Sequence, residues 1–199
     1  MCGERRFQIG QHMGQNSGSI FWFTGLSGSG KTTIATALST KLKELGYKVY
    51  LLDGDVLRTG LCNDLKFSDQ DRKENIRRAG AVAKLFMDEG YIVLCTFISP
   101  FCSDRQIVRD TCPNGKFHEV YISTPLSKCE ERDPKGLYAK ARSGLIPFFT
   151  GIDSPYEKPK NPELEINTDF FSVETARNHL LDYLMSTIKP QDIVCHTKS

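Results

Sequence analysis

Apolar residues fall into short runs separated by stretches of helical period, a pattern of strands alternating with helices. Ser19–Thr24, Val49–Leu52, Tyr91–Ile98, Phe117–Ile122 and Leu164–Ile166 read as strands. Lys31–Leu45 reads as a helix stopped by Gly46. Ser68 with Asp71 makes a capping box for a long helix, Asp69 to Glu89, whose core face is Ile76, Ala79, Ala83, Phe86 and Met87. Ser99-Pro100 and Thr124-Pro125 each place a capping oxygen before a proline and predict two further helix starts. Val173–Thr187 closes the pattern with Ala176, Leu180, Leu181 and Leu184 inward. The glycine- and proline-rich stretch Arg132–Pro162 breaks it, holding only a short helix, Leu137–Arg142, between long loops.

The alternation predicts an α/β fold: a mainly parallel five-stranded sheet flanked by helices on both faces. Such sheets bind ligands beyond the carboxyl ends of their strands. The expected organisation is a single domain over 19–189 with a mobile lid around 132–160, a flexible N-terminal tail at 1–18 and a C-terminal tail at 190–199.

At 199 residues and 39% hydrophobic, the chain has apolar material for one full core. No apolar run approaches a membrane span, and a net charge of +2 with no basic stripe argues against nucleic acid. The seven cysteines (Cys2, Cys62, Cys95, Cys102, Cys112, Cys129 and Cys195) are odd in number and lack CxxC spacing. Free thiols in a reducing compartment, the cytoplasm, are therefore expected. Arg5 and Arg6 leave an organellar presequence as the alternative, disfavoured by Glu4. The four histidines show no metal-ligand spacing.

Gly25-Leu26-Ser27-Gly28-Ser29-Gly30-Lys31-Thr32 satisfies GxxxxGK[ST] between a strand and a helix, the context that makes the motif a phosphate cradle. Backbone amides and the helix N-terminus would face phosphate oxygens, with Lys31 reaching the β and γ phosphates and Thr32 holding Mg²⁺. The motif implies ATP or GTP; no NKxD pattern for guanine is present. Asp53 and Asp55 follow the second strand, where a carboxylate could orient or deprotonate an acceptor hydroxyl. A surface turn would also favour Asp-Gly-Asp. Arg58, Phe67, Arg72 and Asn75 together suggest a pocket for a ligand with an anionic group and a flat ring, although each arginine alone fits a solvated helix.

Across about 19–187 the chain resembles the adenylylsulfate kinase (APS kinase) family of P-loop kinases. The resemblance is carried by GLSGSGKTT (25–33), LDGD (52–55), FSDQDRKENIRR (67–78), FISPF (97–101), RDPKGLYAKAR (132–142) and FTGIDSPYEKP (149–159). It implies a homodimer that makes 3′-phosphoadenylylsulfate from ATP and adenylylsulfate with Mg²⁺, its substrate supplied by a separate ATP sulfurylase. It assigns Gly25, Ser27, Gly28, Ser29, Gly30, Lys31, Thr32 and Thr33 to ATP, with Arg132 beside its base. Lys31 and Asp53 would be catalytic, and Thr32 and Asp53 would hold the metal. Asp53 would lie near the 3′-hydroxyl, Asp55 would shape that corner, and Arg58, Arg72 and Asn75 would hold the phosphosulfate. Phe67 and Phe149 would sandwich adenine, Ile98, Ser99 and Thr150 would line the acceptor site, and Lys135, Gly136 and Leu137 would belong to the lid.

The chain departs from the family pattern at Val56, in place of asparagine in DGDN, at Lys66, and at Pro147 and Phe148 before Phe149. Some members carry a phosphorylated serine at the Ser99 position, but direct in-line transfer needs no such relay. Two rivals share the cradle: another small-molecule kinase, and a nucleotide-binding module that senses adenylylsulfate without catalysis. The first has no use for the whole acceptor set, and the second would be free to lose Lys31, Thr32 or Asp53.

Overall fold

The computed structural model describes residues 18–188. The expected tails, with Cys2, Glu4–Arg6 and Cys195, lie outside these residues apart from Gly18.

β1 (Ser19–Thr24) sits at the centre of a five-stranded sheet. The order is β2 (Val49–Asp53), β3 (Ile92–Thr96), β1, β4 (Phe117–Ile122), β5 (Leu164–Ile166), and every pairing is parallel. Both faces of β1 are buried, which is why its sequence is a continuous apolar run rather than an alternating one. Phe21 and Phe23 pack with α1 (Lys31–Glu44) and α7 (Val173–Thr187), whereas Ile20 and Trp22 pack with α3 (Asp69–Asp88) and α4 (Cys102–Asp110). Three shorter helices, α2 (Gly54–Thr59), α5 (Leu126–Arg132) and α6 (Leu137–Arg142), gather at the carboxyl end of the sheet.

The Ser68 capping box forms as predicted, its Oγ accepting from the Asp71 amide at 3.1 Å. The other two predicted caps do not. Ser99 turns left-handed at φ 41° and α4 begins three residues later, its Cys102 amide donating instead to the Glu157 carboxylate at 2.7 Å. α5 begins at Leu126 without a side-chain cap, because the Thr124 hydroxyl donates to the Ser29 carbonyl at 3.1 Å. Both oxygens are drawn into tertiary hydrogen bonds that outcompete local capping. Phe86 and Leu181, expected inside, are only partly buried, and the Phe86 ring stacks on Tyr50 at 4.0 Å. The five described cysteines are free.

His118 on β4 is 4% exposed, stacks on Phe21 at 4.6 Å and lies 2.9 Å from the Tyr183 hydroxyl. Burial pushes its pKa down to about 4. As pH falls from about 6.5 towards about 4, the unfolded chain takes up a proton that the folded chain refuses, so stability declines by up to about 1.4 kcal/mol per pH unit. His118→Phe is expected to flatten the dependence of melting temperature on pH within that window. An unchanged slope would contradict the assignment.

Candidate active site

The cradle joins β1 to α1. Gly28 adopts φ 71°, and a Cβ there would come within 3.1 Å of the Cys129 carbonyl on α5, so both conformation and space call for glycine. Gly30 caps α1 at φ 100°. Lys31 is buried, its Nζ donating to the carbonyls of Gly25 at 2.9 Å and Leu26 at 2.6 Å. Burial lowers its pKa to about 8, an effect partly offset by Cys129, Asp55 and Asp53.

Other carbonyls of the loop are held by residues for which the sequence suggested no role at the cradle. Tyr138 donates its hydroxyl to the Ser27 carbonyl at 2.9 Å. Thr124 and Thr168 both donate to the Ser29 carbonyl, at 3.1 and 3.0 Å. Arg132, expected near the ATP base, donates to Thr168 at its hydroxyl (2.7 Å) and its carbonyl (2.8 Å), which places it beside the cradle. Thr168 follows β5, so its position at the carboxyl end of a strand was the available signal. Thr33 lies on α1, exposed.

Asp53 ends β2 and caps α2, so Asp-Gly-Asp begins a helix and is not a surface turn. Its Oδ1 accepts from the Asp55 amide at 2.9 Å, and its Oδ2 accepts from the Thr32 and Thr96 hydroxyls, each at 2.8 Å. Burial alone would raise its pKa, but donors from Thr96, Thr32, Asp55 and Val56 outweigh that and keep the carboxylate below its usual range. A hydroxyl and an ionised carboxylate in contact at the cradle's edge are hard oxygen donors of the kind Mg²⁺ takes alongside phosphates. Among the described residues, no group of three or more His, Cys, Asp or Glu offers a competing cage.

On the acceptor side, Arg72 makes the principal brace. It donates to the Phe67 carbonyl (2.9 Å), the Phe148 carbonyl (2.5 Å) and the Thr150 hydroxyl (2.5 Å). This guanidinium, expected on an anionic ligand, is thus engaged with protein oxygens and draws the Phe67 and Phe149 segments together. Arg58 lies over the Phe67 ring at 4.6 Å and donates to the Lys66 carbonyl at 3.2 Å, so it covers the ring expected to stack on adenine. The Phe149 ring meets Tyr138 edge-on at 5.0 Å. Asn75 is 4% exposed and its Oδ1 has no partner among the described residues, an acceptor left for a ligand.

Ile98 and Ser99 meet the cradle through Thr24. The Thr24 hydroxyl donates to the Ile98 carbonyl at 2.7 Å and accepts from Ser99 Oγ at 3.0 Å. Ser99 Oγ in turn accepts from Trp22 Nε1 at 3.1 Å. Lys135 pairs with Asp55, Gly136 caps α6 at φ 64°, and Leu137 opens that helix. The lid segment therefore contacts α2 through Lys135 and the cradle through Tyr138. A cavity of about 650 Å³ is lined by Leu26 of the cradle together with Tyr121, Ile152 and Tyr156. None of the expected site residues lines it.

A family model described as Adenylylsulphate kinase matches residues 17–167. The adenylyl-sulfate kinase of Bacillus pumilus is 57% identical over 179 residues, covering 90% of this chain and 91% of that one. That of Marinobacter nauticus is 59% identical over 165 residues, covering 83% of each. Among solved structures, the Mycobacterium tuberculosis APS kinase CysC in complex with AMPPNP and APS superposes with a TM-score of 0.82 at 50% identity, covering 85% of this chain and 98% of that one. The family model, the near full-length relatives and the cradle bordered by Asp53 agree: the chain belongs to the adenylylsulphate kinase family.

Proposed function

We propose that the chain transfers the γ-phosphoryl group of ATP to the 3′-hydroxyl of adenylylsulfate, giving 3′-phosphoadenylylsulfate and ADP. The observation that carries this reading is the contact between Asp53, on the acceptor side, and Thr32, in the cradle. It fixes the carboxylate against the cradle, at the end of the strand that leads into α2. The acceptor oxygen attacks the γ-phosphorus, the bond to the β,γ-bridging oxygen breaks, and the hydroxyl proton leaves to Asp53 or solvent. Lys31 offsets charge on the bridge, and the cradle amides fix the phosphates. Thr32 and Asp53 would hold Mg²⁺, which supplies charge neutralisation on the phosphates.

Direct transfer fits better than a relay through Ser99, whose Oγ is buried and hydrogen-bonded to both Trp22 and Thr24. As part of the same reading, the chain pairs with a second copy, works in the cytoplasm and receives adenylylsulfate from a separate sulfurylase. Sedimentation at a dimer mass is the expected result for the first of these.

An acceptor screen with ATP and Mg²⁺ tests the substrate assignment. ADP formation is expected with adenylylsulfate and not with nucleoside monophosphates or sugar acids. The reverse preference would favour a different small-molecule kinase. Phe67→Ala is expected to weaken adenylylsulfate binding about tenfold, the scale of a lost ring stack, while leaving ATP affinity nearly unchanged. Calorimetry showing the opposite pattern would reverse the division of the two nucleotide sites.

A further inference from the structure

Tyr138 touches both halves of the site. It is 2% exposed, its hydroxyl donates to the Ser27 carbonyl at 2.9 Å, and its ring packs on Phe149 at 5.0 Å and 76°. Because a trans peptide is planar, with its carbonyl and amide antiparallel, holding the Ser27 carbonyl also sets the direction of the Gly28 amide. That amide donates to no protein acceptor among the described residues and is left for an anion. The same side chain thus orients a phosphate donor and supports an aromatic face of the acceptor site.

We propose that Tyr138 is a positioning residue that couples the two substrates: phosphates ordering the Ser27–Gly28 peptide fix Tyr138, and Tyr138 fixes the Phe149 ring. The inference rests on the reading above, in which Phe149 faces the adenylylsulfate ring. Coupling of this kind is reciprocal, so adenylylsulfate strengthens nucleotide binding by the same factor as the nucleotide strengthens adenylylsulfate binding. The helix carrying Tyr138 is held independently of its hydroxyl. The Asp133 carboxylate accepts from the Tyr138 and Ala139 amides at 3.1 and 3.0 Å, and Lys135 pairs with Asp55. Tyr138→Phe therefore removes the coupling contact from a helix that stays docked.

The test is calorimetry of adenylylsulfate binding to wild type and Tyr138→Phe, with and without a non-hydrolysable ATP analogue and Mg²⁺, alongside melting temperatures. In the wild type the analogue should tighten adenylylsulfate binding. In Tyr138→Phe that enhancement should shrink about two- to tenfold, the range one neutral hydrogen bond supports. Phe149→Leu should lower adenylylsulfate affinity whether or not the analogue is present. A purely structural tyrosine would lower the melting temperature and leave the enhancement intact, and that result overturns the proposal. So does a wild type with no enhancement. Failure of the wild type to bind adenylylsulfate under either condition would instead remove the functional reading, and this inference with it.

Discussion

Lys31→Ala is expected to lower kcat by about 10²–10³ under saturating ATP, the cost of losing one preorganised contact to charge developing in the transition state. The ammonium is buried and held by the Gly25 and Leu26 carbonyls, so it is in place beside the cradle without needing to be recruited from solvent. Alanine also leaves those two carbonyls without this donor, so ATP binding should weaken as well. The check is steady-state kinetics together with a melting curve, so that lost chemistry is separated from lost fold. A loss of less than about tenfold in kcat would count against Lys31 as a catalytic group.

Asp53→Asn should lower kcat by about 10²–10⁴ with little change in fold or ground-state affinity. Asparagine is as good a helix cap as aspartate, so the amide oxygen can keep the bond from the Asp55 amide and α2 should survive. The Thr32 and Thr96 hydroxyls can turn to accept from the new amide group. What is lost is the negative charge. The donors around Asp53 hold its carboxylate below the usual range despite burial, which makes it a weak base and a good partner for a cation. Raising Mg²⁺ is therefore expected to restore part of the rate. No recovery at any Mg²⁺ concentration would assign Asp53 to proton transfer instead, and wild-type kinetics would remove it from the mechanism.

The centre of the sheet was legible because β1 and β3 are buried on both faces and read as apolar runs. The cradle was legible because its chemistry is local: consecutive glycines, a lysine and a threonine at fixed spacing. α2 was not, since an aspartate followed by glycine serves equally as a turn and as a helix cap. Ser99 and Thr124 were misread for a related reason. A hydroxyl before proline suits a cap, and only the folded chain brings Trp22 and Thr24 to one and the Ser29 carbonyl to the other. Thr96 and Tyr138 act through contacts across 43 and 111 residues, which no local pattern encodes, and Thr168, acting across 139, was signalled only by its place after a strand. Two of the departures from the family pattern have visible backbone roles. Val56 is 67% exposed and supports Asp53 through its backbone. Phe148, in the left-handed region at φ 58°, has its amide held by Asp153 at 2.6 Å and its carbonyl by Arg72.

The central claim is the identity of the acceptor atom, and product analysis tests it most directly. The purified chain is incubated with ATP, Mg²⁺ and adenylylsulfate, and the nucleotide product is examined by mass and by phosphorus coupling in NMR. The account predicts ADP in equal amount to a product heavier by one phosphoryl group, with that phosphorus coupled to the ribose 3′ position. Unchanged adenylylsulfate, or a phosphoryl group attached anywhere other than the 3′-oxygen, would contradict it.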